Sequence, residues 1–86
     1  VRIHLVPVGS APLLKKSKFQ LDSSSPFSTV SAFLRRQLSL PPATALFLYL
    51  NAAFCPSPDQ VCGELSECFA VRGDLVVHYA LQEAFG

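Results

Sequence analysis

The chain has 86 residues, enough for one domain that folds on a single core. Half of the residues are hydrophobic and 15% are charged, so we expect some apolar surface to stay exposed for partners. The net charge of +1 combines +5 in residues 1–45, where six Lys and Arg face one Asp, with −4 in residues 46–86. The basic half lacks the dense, aromatic-interleaved cluster of a nucleic-acid surface, and no apolar run is long enough to span a bilayer.

Two strands are predicted at the start of the chain. In residues 2–6 the apolar Ile3 and Leu5 alternate with polar neighbours, which is typical of a half-buried strand ending near Pro7. Residues 9–12 have turn chemistry, and residues 14–22 show a second alternation that includes Phe19 and Leu21. The two strands are therefore predicted to form a hairpin.

The periodicity changes to that of a helix after the loop at residues 23–26. Val30, Phe33, Leu34 and Leu38 fall on one helical face. We expect a side-chain cap at Ser28 or Thr29, basic residues in the last turn, and termination by the proline pair at 41–42.

The second half of the chain is predicted to hold two strands and a short helix. Residues 46–50 are mostly apolar, which indicates a strand that is buried on both faces or flanks a partner site. A short helix is expected to begin at Pro58 or Asp59, with Cys68 on its buried stripe. In the last strand, residues 74–80, alternate side chains share one face.

This order of elements predicts an α+β domain of the β-grasp (ubiquitin-like) type over residues 1–86. A hairpin, a main helix, a strand, a short second helix and a final strand would give a four-stranded mixed sheet. The crossover through the main helix would make the first and last strands parallel neighbours at the centre of the sheet.

The cysteines give little support to catalysis or metal binding. Cys55, Cys62 and Cys68 are odd in number and show no Cys-x-x-Cys spacing, which argues against zinc and favours a reducing, intracellular setting. Pairing Cys55 or Cys62 with His78 as nucleophile and base is conceivable, but no orienting acid stands at a recognisable spacing. We therefore expect a protein that is not an enzyme.

The chain ends Ala84-Phe85-Gly86, a short tail of about residues 81–86 beyond the last strand. Glycine has no Cβ, so its backbone enters narrow channels and its carboxyl is unshielded toward a nucleophile. Such an end suits activation and transfer of the carboxyl group to an amine.

Six segments have a specific sequence: residues 11–15 (APLLK), 33–38 (FLRRQL), 47–54 (FLYLNAAF), 56–60 (PSPDQ), 73–80 (GDLVVHYA) and 84–86 (AFG). They resemble the autophagy-related protein 12 family of ubiquitin-like modifiers. The resemblance is in register along essentially the whole chain. One departure is Phe85, since the family usually has tryptophan before its terminal glycine.

The resemblance implies a function as substrate and scaffold. An activating enzyme would use ATP to adenylate Gly86, with no cofactor held by this chain, and conjugating enzymes would carry it to a lysine of autophagy-related protein 5. With autophagy-related protein 16, the conjugate would promote lipidation of the membrane-attached autophagy modifier. The protein would be cytoplasmic and recruited to the pre-autophagosomal membrane, and no protease would need to expose Gly86.

The resemblance also implies the sites. Phe85 and Ala84 would be recognised with the tail, and Lys18 and Phe54 would help to recruit the lipid-conjugating enzyme. From the residues alone, Lys18 on an edge strand would attract acid, and Phe54 is equally compatible with an exposed anchor or with core packing. Two alternatives stay open: a noncovalent β-grasp interaction module, and the lipid-conjugated sister modifier truncated at its N-terminus.

Overall fold

A computed structural model describes residues 1–50 and 54–81. Its elements follow the predicted order: β1 (Arg2–Pro7), β2 (Lys18–Gln20), α1 (Ser28–Gln37), β3 (Phe47–Tyr49), α2 (Cys62–Phe69) and β4 (Asp74–Ala80). The strands form one mixed sheet in the order β2-β1-β4-β3. β1 and β4 are parallel at its centre, and each pairs antiparallel with one edge strand. The predicted β-grasp architecture is confirmed.

The core lies between one face of the sheet and the two helices. Alternation along the central strands sends Ile3, Leu5, Leu75, Val77 and Tyr79 into it, all at most 1% exposed. The main helix adds Val30 and Leu34, and the short helix adds Cys62 and Leu65. The opposite face of the sheet therefore carries the polar side chains of β1 and β2.

The second strand is much shorter than residues 14–22. Only Lys18–Gln20 pairs fully with β1, although Leu5 N also donates to Ser17 O over 2.7 Å. The segment between β1 and β2 is instead held by a residue distant in sequence, because the Tyr79 hydroxyl donates a hydrogen bond to the Pro12 carbonyl. This tertiary contact competes with extension of the hairpin and has no local sequence signal.

The main helix begins without the predicted side-chain cap. Phe27 is its N-cap residue, and no side chain bonds the first amides. Carbonyls of the later loop replace a cap: Phe27 N donates to Gln60 O over 2.7 Å and Ser28 N to Pro58 O over 2.9 Å. The orphan donors of the helix are thus satisfied by tertiary structure.

The main helix also ends earlier than the proline pair at 41–42 requires. Ser39 takes φ 53°, and its amide donates to Arg36 O while Leu40 N donates to Arg35 O. This pattern is a Schellman motif, with serine at the position that glycine usually fills. The two arginines do lie in the last turn, where they meet the negative end of the helix dipole.

The short helix starts later than predicted, which changes the residues it buries. Asp59 belongs to a turn in which its carboxylate accepts from the Ser57 hydroxyl. The helix begins at Cys62, so Cys62 and Leu65 are buried while Cys68 is exposed. The prediction that Cys68 is buried is wrong, because the buried stripe of α2 runs through Cys62 and Leu65 to the half-buried Phe69, and Cys68 lies beside that stripe.

Candidate functional site

The predicted partner-binding residue Lys18 lies on the edge strand β2, opposite His4 of β1. Its ammonium is 3.9 Å from Oδ2 of Asp74, whose Oδ1 accepts from Arg2 Nε over 2.7 Å. The side chains of Lys18 and Arg2 are 64% and 58% exposed, whereas that of Asp74 is 15% exposed. Two accessible cations therefore share one largely covered carboxylate.

A small depression of about 280 Å³ is associated with this charge cluster. Its lining combines the charged groups with Ile3, Phe19 and Gln20. Phe19 is half-buried and stacks on Phe33 of α1 with ring centroids 4.1 Å apart, so its ring packs against the core. The net charge of the cluster is positive, so a carboxylate on a partner is its natural complement.

Sequence reasoning missed Asp74 as part of this surface. The predicted parallel pairing of β1 and β4 could have identified Asp74, because the register of that pairing places Arg2 opposite Asp74. A salt bridge between cross-strand partners follows once the register is fixed. Hydrophobic alternation alone shows that both residues face away from the core, but not that they are neighbours.

The other predicted partner-binding residue, Phe54, lies beyond the opposite edge of the sheet. It forms an isolated bridge with Leu50 just after β3, is 38% exposed, and stacks on Phe69 with centroids 5.1 Å apart. Phe54 is thus partly exposed, with one face of its ring packed against Phe69. Three inter-strand spacings put about 14 Å between the two edge strands, so Lys18 and Phe54 do not form one compact site.

The predicted conjugation residue Gly86 and the tail residues Ala84 and Phe85 lie outside the described residues. The described chain reaches residue 81, one residue after β4 ends at Ala80. Just before that end, Tyr79 is fully buried, and Val8 N donates to its carbonyl over 2.9 Å. The base of the tail is therefore anchored in the centre of the sheet.

The buried Cys62 is not an activated nucleophile. Burial raises the pKa of the Cys62 thiol, which keeps it protonated and is opposite to the activation that catalysis requires. The other two thiols are exposed and free. Among residues 1–50 and 54–81 no group of three potential metal ligands is found, and no helix of that part is long and apolar enough to cross a membrane.

The fold defines the class of protein. The structure superposes with a TM-score of 0.86 on the crystal structure of Trypanosoma brucei ATG8, over 100% of this chain and 76% of that one, at 21% sequence identity. At this identity the similarity speaks for the fold alone. The molecule is a ubiquitin-like β-grasp protein.

The sequence comparisons give the family. The model of the family described as "Ubiquitin-like autophagy protein Apg12" matches residues 1–86. The chain is 44% identical over 86 residues to ubiquitin-like protein ATG12 of Medicago truncatula and covers 87% of it. It is 38% identical to the proteins of the same name from Schizosaccharomyces pombe and Rattus norvegicus, spanning 65% and 61% of their lengths. The chain belongs to the Apg12 family of ubiquitin-like autophagy proteins.

Proposed function

We propose that this protein is a covalent modifier of the autophagy system, joined through Gly86 to a lysine of autophagy-related protein 5. The observation that carries the proposal is the family match over residues 1–86, which includes the position of Gly86. The relatives are named ubiquitin-like proteins. In the proposed chemistry the chain is the substrate rather than the catalyst. The chain itself would hold no cofactor, since the activating enzyme would bind the ATP.

The proposed chemistry is an adenylation followed by three successive acyl transfers. The Gly86 carboxylate attacks ATP, giving an acyl-adenylate and pyrophosphate, and a thiolate of the activating enzyme then displaces AMP to form a thioester. A cysteine of a conjugating enzyme takes over the acyl group by thioester exchange. Finally the lysine amine attacks the thioester carbonyl, releases the thiol and forms the isopeptide bond.

The domain contributes presentation rather than reactivity to these steps. Residue 80 ends the central strand β4, which is paired on both sides, so the base of the tail is fixed. A fixed base restricts the volume that the tail must search and raises its effective concentration at the enzyme's thiol. Together with autophagy-related protein 16, the conjugate would promote lipidation of the membrane-attached modifier. The conjugate would be recruited for this step from the cytoplasm to the pre-autophagosomal membrane.

Lys18 and Phe54 are proposed to contact the lipid-conjugating enzyme. Support comes from the cationic surface around Lys18 and from the exposed ring of Phe54. Because they lie at opposite edges of the sheet, the enzyme would touch the domain at two separate places. Ala84 and Phe85 are proposed to be read with the tail by the activating enzyme, the aromatic ring serving as anchor.

Reconstituted conjugation tests the central proposal. A chain ending at Gly86 is incubated with activating enzyme, conjugating enzyme, autophagy-related protein 5 and ATP, and the products are identified by mass spectrometry. We expect a reductant-sensitive thioester and then a stable conjugate, both lost on deletion of Gly86. An undiminished conjugate from the deletion variant would exclude Gly86, whereas tight binding without a conjugate would favour the noncovalent interaction module.

A further inference from the structure

A second cavity, of about 340 Å³, lies between α1, strand β3 and the loop of residues 55–58. Its apolar lining comes from Phe27, Ala32, Leu46, Leu48, Pro56 and Pro58. Arg35, two serine hydroxyls and the exposed Cys55 complete it. This volume is within the range of ligand-binding pockets in proteins. The cavity is separate from the surface around Lys18, which lies at the other edge of the sheet.

Two prolines in the loop prevent it from pairing with β3 beside the cavity. Leu50 and Phe54 exchange two backbone hydrogen bonds of 2.6 and 3.0 Å, which would normally start a ladder running back along β3. Pro56 and Pro58 have no amide hydrogen, so the ladder stops at that bridge. The loop then runs beside the strand without closing on it, and the space between them stays open.

Hydrogen bonds hold the walls of the cavity in place. Pro58 O accepts from Ser28 N over 2.9 Å, which ties the loop to the start of α1. At the other end, Arg35 Nη1 donates to Thr44 O over 2.9 Å and ties the helix to the segment before β3. A site held in this way is largely formed before a ligand arrives, so little ordering cost attends binding.

The lining also determines the chemistry of the ligand. Among residues 1–50 and 54–81 no acidic side chain lines the cavity and Asp74 is the only acid in an ion pair, so Arg35 has no carboxylate partner within that part of the chain. A guanidinium retains further N–H donors after one bond to a carbonyl. An apolar group with a carboxylate close to it is therefore the matching ligand.

We propose that this cavity is a docking site for a segment of an acidic partner protein. An apolar side chain enters between Leu48 and Pro56, and an Asp or Glu next to it in sequence pairs with Arg35. A protein partner fits because the exposed Phe54 is adjacent in sequence to Cys55 of the lining, so that one extended segment can contact both. Charge favours an acidic segment, since Arg35 is the single charged side chain among the described lining residues.

Capped dipeptides test this chemistry directly. Acetyl-Phe-Glu-amide has both features, acetyl-Phe-Gln-amide lacks the charge, and acetyl-Ala-Glu-amide lacks the apolar group. Binding is followed from NMR shifts of the amides of Ser31, Ala32 and Arg35. We expect the first peptide to bind about two- to fivefold more tightly than the Gln peptide, as one accessible ion pair permits. The Ala peptide should bind more weakly than the first because it lacks the apolar area that the cavity buries. Equal affinity for all three peptides, or no shift at these amides, would overturn the proposal.

Three variants and two thiols serve as tests and matched controls. Arg35→Gln should remove the preference for Glu over Gln, whereas Arg36→Gln, an exposed neighbour outside the cavity, should keep it. Ala32→Phe should fill the cavity and abolish binding even if Arg35→Gln perturbs the fold. Bound peptide should slow alkylation of Cys55 but not of the exposed Cys68. Equal protection of both thiols, or binding undiminished in Ala32→Phe, would contradict the assignment.

Discussion

Arg2 and Asp74 stand opposite each other on the two central, parallel strands, and Arg2 Nε donates to Asp74 Oδ1 over 2.7 Å. Lys18 reaches the second oxygen of the same carboxylate at 3.9 Å. Asp74 thus occupies both cations that the proposed enzyme contact would use. An incoming carboxylate has to compete with a side chain already held in place by the sheet.

Asp74→Asn is therefore expected to strengthen binding of the lipid-conjugating enzyme. Removing the internal competitor should raise affinity about two- to fivefold, mainly through faster, salt-sensitive association. Asp22→Asn changes net charge equally at an exposed position outside the cluster and should have little effect. Calorimetric titration at two salt concentrations measures the affinity of each variant and its salt dependence. Equal affinities of Asp74→Asn and the wild type would refute the competition, whereas absence of wild-type binding would refute the enzyme contact itself.

Lys18 and Phe54 should contribute independently to recruitment of that enzyme. The two edge strands are about 14 Å apart, beyond the range in which substitutions usually couple. We expect Lys18→Asp and Phe54→Ser each to weaken binding and the double variant to lose the sum of the two free energies. Neither substitution should reduce covalent conjugation through Gly86. A double-variant cycle with a large coupling energy would show that the two residues act as one site.

Hydrophobic periodicity predicted the order of all six elements, because alternation in the strands and the spacing of Val30 and Leu34 are local properties of the sequence. The boundaries that were wrong depend on tertiary contacts. The Pro58 and Gln60 carbonyls replace a side-chain cap on α1, and the bridge between Pro26 and Val61 keeps residue 61 extended, so that α2 begins at Cys62. Likewise, Asp74 joins the Lys18 surface only through strand register.

Stability should fall in alkaline solution because of Cys62 and Tyr79. Burial raises the pKa of both groups above their ordinary values of 9.0 and 10.0, so the folded protein keeps protons that the unfolded chain releases. The stabilisation is complete below pH 9 and is lost as pH rises through the folded pKa values. Denaturant midpoints measured across this range should decline. Cys62→Ala should flatten the decline and Cys68→Ala, at an exposed thiol, should not; identical profiles would contradict the role of burial.

The final prediction concerns Gly63 in the first turn of α2. A Cβ at this position would lie 2.8 Å from the Ser23 carbonyl oxygen and 2.9 Å from the Ser23 Cβ, and Gly63 N donates to the same oxygen over 2.9 Å. Helix propensity alone favours alanine over glycine by about 0.5–1 kcal/mol. The crowding acts in the opposite direction, so we expect Gly63→Ala to destabilise the fold by about 1–3 kcal/mol.

Urea unfolding measures the sign of this change. Glu67→Ala, at an exposed position of the same helix, is the control and should leave stability nearly unchanged. If Gly63→Ala proved more stable than the wild type, propensity would outweigh the contact with Ser23. The close approach of α2 to the loop at residues 23–25 would then be looser than the two backbone hydrogen bonds from Cys62 and Gly63 indicate.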